Sequence, residues 1–299
     1  MHLNEVRATE HQVRRLLADQ MPQWLGLELH QLTNEGTDHV LFRLGDELLV
    51  RMPKIDWAVE QADNDARWLA TLAPHLPVPI PSPIAVGEPG EGFPWRWTVV
   101  PWIDGSTPGP LDRSQPALAR DVADFARALH AIDPNGGPLK SGRSRGAPLP
   151  PNDDLAQDTL KTLAAFHDGF DLHDAAKAWA DARDTPPWDA SPVWIHGDLQ
   201  PGNLIVRDGR LASVIDFGGL GVGDPAPDVA AAFWTFSGDA RRAYRDAIGC
   251  DEATWRRARG WALLPSLNGL AYYRHTFPRM VRQSLDTIAA VLEDMREGT

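Results

Sequence analysis

Two carboxylates and a carboxamide fall close together in one stretch of this 299-residue chain. Asp198 and Asn203 belong to His196-Gly197-Asp198-Leu199-Gln200-Pro201-Gly202-Asn203, and Asp216 belongs to Ile215-Asp216-Phe217-Gly218. Two apolar runs separate them, Leu204-Ile205-Val206 and Leu211-Ala212-Ser213-Val214-Ile215, joined through Arg207-Asp208-Gly209-Arg210. Asp-Gly between apolar runs is a strong hairpin signal, and a hairpin would bring Asp198, Asn203 and Asp216 to one place. Phosphoryl transfer uses such a set: a carboxylate that orients the attacking hydroxyl and accepts its proton, and hard oxygen ligands for Mg²⁺ on the phosphates. On this reading Asp198 is the base, and Asn203 and Asp216 are the metal ligands. His196, following apolar Trp194 and Ile195, braces the loop. Taken singly, each Asp or Asn fits a turn or a helix cap; the hairpin between them favours the chemical reading.

The elements that would position this set divide the chain in two. Residues 5–18 have the pattern of a surface helix closed by Pro22, and residues 27–52 read as strands separated by turns, an antiparallel meander. From residue 57 to 72 the period becomes helical: Ala58, Ala62, Asp65, Leu69 and Leu72 share one face, with Asp65 in the middle of that inward stripe. The proline-rich run at 76–87 excludes helix. Residues 95–102 read as a further strand ending at a hinge, Ile103-Asp104-Gly105. Helices dominate afterwards, at about 113–132, 153–166, 175–183, 227–236, 239–248 and 252–275, interrupted by the β island at 196–217. The expectation is an α+β chain: a lobe at 1–103 made of an antiparallel sheet plus a helix, and a mainly helical lobe at 104–299 carrying the catalytic β-hairpin.

Composition excludes several roles. With 29 basic against 41 acidic residues the formal charge is −12, which disfavours nucleic-acid binding. No apolar stretch approaches the ~20 residues that span a bilayer. The single cysteine and a first segment without a signal-peptide core point to a cytoplasmic protein.

Taken together, HGDLQPGN (196–203), IDFG (215–218) and GVGDPAPDVA (221–230) resemble the aminoglycoside phosphotransferase family, as do 37–51, 67–81 and PWIDG (101–105) upstream. The resemblance implies the bilobal protein-kinase-like fold, with 1–103 binding nucleotide and 104–299 holding the catalytic residues and the acceptor. It implies ATP or GTP as donor, Mg²⁺ as cofactor, Asp198 as catalytic base, and Asn203 and Asp216 on the metal. It further implies that Asn34, Gly36, Thr37, Asp38 and His39 cover the nucleotide phosphates, and that the main chain of Val99, Val100, Pro101 and Trp102 holds the base. Asp224 and Asp228 match acidic positions of the segment after the metal ligand and are read as structural supports.

The family's usual phosphate-binding Lys is replaced by Arg51, and its Glu partner by Asp65. Arginine binds phosphate bidentately, and a longer cation facing a shorter carboxylate would preserve the ion pair's span. An inward-facing Asp also calls for a cationic partner on physical grounds alone. The nearest lysine, Lys54, lies beyond Pro53, on the other face of an extended chain.

For the acceptor, nine aspartates between residues 152 and 189 suggest an acidic cleft that would steer in a cation, although charge runs are commonly a solvated helix face. Trp234, Tyr272, Tyr273, Arg274 and His275, on the late helices, are candidates for completing the acceptor pocket. The expected function is O-phosphorylation of an antibiotic-like acceptor, an aminoglycoside, macrolide or nucleoside antibiotic, conferring resistance. The alternatives are a non-catalytic nucleotide-binding module and a kinase of a metabolic sugar or amino alcohol.

Overall fold

The structure, a computed structural model, describes residues 5–32, 38–166 and 169–297. The chain divides into two compact units, Met1–Gly105 with Ala212–Gly218, and Ser106–Leu211 with Gly219–Thr299.

In the first unit, helix α1 (Glu10–Gln20) opens on Thr9, whose side chain accepts the Gln12 amide. The sheet comprises β1 (Leu29–Gln31), β2 (His39–Leu44), β3 (Leu48–Pro53), β4 (Ala85–Gly87) and β5 (Trp97–Pro101), ordered β1-β2-β3-β5-β4 and antiparallel throughout. Alternation along β2 and β3 sends Val40, Phe42, Leu44, Val50 and Met52 into a core closed by Val13, Leu16 and Leu17 of α1. Gly87 faces Trp97 across the β4–β5 pair, where any Cβ would run into the indole. Helix α2 (Gln61–Leu72) lies between β3 and β4 in sequence; the first part of the expected helix is instead a 3₁₀ turn, Asp56–Ala58. The expected stripe is buried along its whole length, Asp65 included. Ser213 joins this unit by donating to the Pro79 carbonyl (2.8 Å).

The second unit contains α3 (Pro116–His130), α4 (Asp153–Ala164), α5 (Leu172–Asp184), β6 (Val193–Ile195), β7 (Leu204–Arg207), β8 (Arg210–Val214, whose last residues belong to the first unit), β9 (Gly221–Gly223), α6 (Ala226–Val229), α7 (Ala231–Trp234), α8 (Gly238–Ile248), α9 (Glu252–Tyr273) and α10 (Pro278–Glu297). The helix expected at 227–236 is thus two four-residue helices. Helix α9 is buried nearly all round, among α4, α5, α6 and α10. Strands β7 and β8 form the expected hairpin, with Asp208 and Gly209 both at positive φ (53° and 71°), the conformation of a type I′ turn. β6 pairs antiparallel with β9, setting Trp194 opposite Val222.

Candidate active site

In the second unit, the candidate residues start where β6 ends. His196, fully buried, and Gly197 donate their backbone amides to Asp228, at 3.1 Å to Oδ2 and 2.7 Å to Oδ1. Asp228 is itself buried, and the His130 ring meets its Oδ2 at 2.9 Å. One carboxylate therefore holds two successive amides and fixes the turn. Gly197 has φ +78°, and a Cβ there would sit 3.0 Å from the Gly219 carbonyl oxygen, so the turn needs glycine. The next amide, of Asp198, donates to His196 Nδ1 at 3.2 Å, the bracing expected of His196. Asp224 pairs with buried Arg257 (2.7 Å) and accepts the Ala226 amide at the start of α6.

Asp198 itself is only half-buried and is surrounded by donors. Asn203 Nδ2 reaches both its main-chain oxygen (2.8 Å) and its Oδ2 (2.9 Å), Gln200 Nε2 reaches Oδ2 (3.0 Å), and Arg145 Nη1 reaches Oδ1 while also donating to the Gly197 carbonyl (3.0 Å). Each carboxylate oxygen has two lone pairs, so the group can still accept a proton from an incoming hydroxyl. With its nitrogen on Asp198, Asn203 has its oxygen left for a cation.

Asp198 stands in the wall of a cavity of about 650 Å³ within this unit, with Trp234, Tyr272 and Tyr273 among its lining. Trp234 is anchored through Nε1 to the Leu199 carbonyl (3.1 Å). Arg274 and His275 do not line this cavity. They border a smaller space of about 350 Å³ with Phe166 and Leu285, Arg274 lying 4.0 Å over the Phe166 ring. The described aspartates of 152–189 do not line the large cavity either: Asp153 meets Trp179 and Arg183, Asp154 meets Arg143, Asp158 meets Lys161, and Asp181 meets Arg256.

In the first unit, Arg51 on β3 donates to Asp65 on α2 at 2.8 Å, and both are buried. Asp65 Oδ1 has no hydrogen-bond partner among the described residues. Burial pushes the Asp65 carboxyl up to about 6; Arg51 opposes the shift, and the charge of Asp216 adds to it. Asp216 accepts from Gln61 Nε2 (3.2 Å) and has φ +61°, a left-handed conformation that a non-glycine residue adopts at a cost and that clusters at functional sites. His39 is buried, and burial together with the charges of Arg51 and Lys54 keeps it neutral well below the usual imidazole range. Lys54 is also buried; β3 ends at Pro53, and the Lys54 amide donates to the Asp38 carbonyl (2.9 Å). Asn34, Gly36 and Thr37 lie outside the described residues. Of the strand expected to hold a base, Val99 O already accepts the Ile84 amide and Trp102 N donates to Glu47, while Val99 and Val100 are fully buried.

The model of the phosphotransferase enzyme family matches residues 29–295. The chain belongs to that family. Among curated relatives of this phosphotransferase, an aminoglycoside 3'-phosphotransferase of Escherichia coli is 26% identical over 153 residues, 48% of this chain and 53% of that protein. The chain thus matches about half the length of such curated relatives. Among solved structures, the GDP complex of an aminoglycoside 2'-phosphotransferase superposes with a TM-score of 0.72 at 17% identity, covering 96% of this chain and all of that one. A macrolide 2'-phosphotransferase of Brachybacterium faecium gives 0.62 at 20% identity, covering 92% and 96%. At these identities the likeness is one of fold, and it establishes the kinase-like fold of this family.

The family implies a divalent metal. Among the described residues no cluster of three or more His, Cys, Asp or Glu could hold one. A ligand set of one Asp and one Asn suits Mg²⁺, which keeps waters and takes phosphate oxygens rather than filling an all-protein cage.

Two features of this phosphotransferase were not apparent in the sequence. Arg145 lies in a basic loop that reads as surface, and Gln200 reads as a spacer in the motif; both contact Asp198. For Gln200 its place within the motif was a usable signal; for Arg145 the sequence offered only a basic loop, Lys140, Arg143 and Arg145, open to meeting an anionic group, and that group is Asp198.

Proposed function

We propose that this protein transfers the γ-phosphate of ATP or GTP to a hydroxyl of an antibiotic-like acceptor, an aminoglycoside, macrolide or nucleoside antibiotic, and so confers resistance. The observation that carries the reading is Asp198, held by Asn203, Gln200 and Arg145 in the wall of the 650 Å³ cavity. A carboxylate fixed on both oxygens is oriented before the acceptor arrives, and orientation supplies much of the rate in phosphoryl transfer. Asp198 accepts the hydroxyl proton as the oxygen attacks phosphorus. Arg51, oriented by Asp65, contacts the donor phosphates, and Asp38 and His39 border them. Val100 and Pro101 offer the main-chain groups for the base. Asn203 and Asp216 would hold Mg²⁺, which neutralises charge on the phosphates when bound. Trp234, Tyr272 and Tyr273 bind the acceptor.

Among the described residues no helix is long and apolar enough to cross a membrane, and we assign the protein to the cytoplasm, where the donor nucleotides are available. The test is incubation with Mg²⁺, ATP or GTP and a panel of hydroxylated antibiotics, read by mass spectrometry. A gain of one phosphate on an acceptor is expected. Nucleotide binding without transfer to any acceptor would instead favour the non-catalytic module.

A further inference from the structure

The described lining of the cavity beside Asp198 carries one pair of opposite charges and is otherwise neutral. Of its seventeen described residues, two are charged, Arg145 and Asp198, and they are paired with each other. The rest of the polar wall is neutral, with Thr159, Ser266, Asn268, Gln283 and Ser284 offering hydroxyls and amides. Trp234, Tyr273, Met280 and Pro265 supply apolar surface. Within the acidic run that would have drawn in a polycation, Asp153, Asp154, Asp158, Asp174 and Asp181 are in ion pairs and Asp171 caps α5.

An ammonium group entering such a cavity loses hydration and finds no carboxylate other than the one required as base. Several ammonium groups on one molecule multiply that cost, and Arg145 adds repulsion. Ring hydroxyls, by contrast, find donors and acceptors, and a ring face can lie on Trp234. We propose that the acceptor is a hydroxylated glycoside or nucleoside carrying at most one positive charge, and that this cavity discriminates against polycations. The proposal rests on the phosphotransferase reading above and narrows its acceptor class.

The test compares kcat/KM for two sets of acceptors, with the full-length protein, Mg²⁺ and whichever nucleotide supports turnover. One set is polycationic (kanamycin, gentamicin, streptomycin); the other comprises neutral nucleosides, neutral glycosides and singly charged macrolides. The best acceptor is expected in the second set, by tenfold or more over any polycation. The substitution Asn268→Asp, which adds a carboxylate of the same shape and still accepts from Thr159 Oγ1 (2.7 Å), should narrow that ratio at least tenfold. Preference for the polycations, or a ratio unmoved by the added carboxylate, overturns the proposal and leaves the phosphotransferase reading standing. Transfer to neither set removes that reading itself, and the acceptor class with it.

Discussion

Asp198 and Asp65 each face a guanidinium, one in each unit, and their surroundings are opposite. Asp198 is half-buried and receives Arg145, Gln200 and Asn203 on its two oxygens. Asp65 is 1% exposed, meets Arg51 through one oxygen and has no partner for the other among the described residues. The first arrangement holds a carboxylate in place while leaving it accessible to a reacting group. The second removes a carboxylate from water and makes it dependent on a single cation. On the proposed function, the difference separates a group arranged to take part in a reaction from one arranged to position another residue, Arg51.

The largest effect should come from the accessible carboxylate. Asp198→Ala is expected to lower kcat by about 10²–10⁴, the usual range for loss of a general base. Nucleotide affinity, measured by calorimetry, should change little, because the Arg51–Asp65 pair is untouched. Turnover within threefold of the unsubstituted protein would remove the distinction between the two aspartates.

The buried carboxylate should register in stability instead. Arg51→Ala removes the one partner Asp65 has among the described residues, and breaking a buried pair from one side costs about 3–5 kcal/mol. Urea denaturation at pH 8 measures it. Arg51→Met combined with Asp65→Leu should recover most of that loss, since a buried pair is often replaceable by apolar groups of similar volume. A loss below about 1 kcal/mol for the single substitution would mean that Asp65 is not dependent on Arg51.

The two carboxylates also differ in how far the sequence revealed them. Asp65 was legible as an inward position because the spacing of Ala58, Ala62, Leu69 and Leu72 fixes a helix face, and a charge on that face needs a partner. The hairpin was legible because Asp208-Gly209 tolerates the two positive φ angles of a type I′ turn. The surroundings of Asp198 were not. Arg145 is 53 positions from Asp198 in an irregular loop, and Asp228 is 31 positions from the Gly197 amide it holds; neither contact has a periodicity to betray it. The aspartates at 152–189 suggested a cleft because their partners, Arg143, Arg256 and Arg296 among them, are scattered through the chain and meet them only after folding. Helix α10 is additional to the expected helices, although Val281, Leu285, Ile288 and Leu292 recur at helical spacing. Strand β4, three residues next to a proline-rich run, carries too short a pattern to be read.

The pH dependence of folding offers the finest test of the contrast. With its carboxyl pushed up to about 6 in the folded protein, against about 3.8 when unfolded, Asp65 retains a proton between those values that the unfolded chain has released. Its contribution to stability is therefore fully present below about pH 3.8 and is lost as pH rises through about 6. The shift of about two units corresponds to at most about 3 kcal/mol, and less if water reaches the pair. Asp65→Asn removes this titration while keeping the shape of the side chain. The stability gap between the unsubstituted protein and Asp65→Asn should accordingly move against the unsubstituted protein between pH 4.5 and pH 7. A gap independent of pH over that interval would mean that Arg51 outweighs burial at Asp65 and holds it ionised throughout.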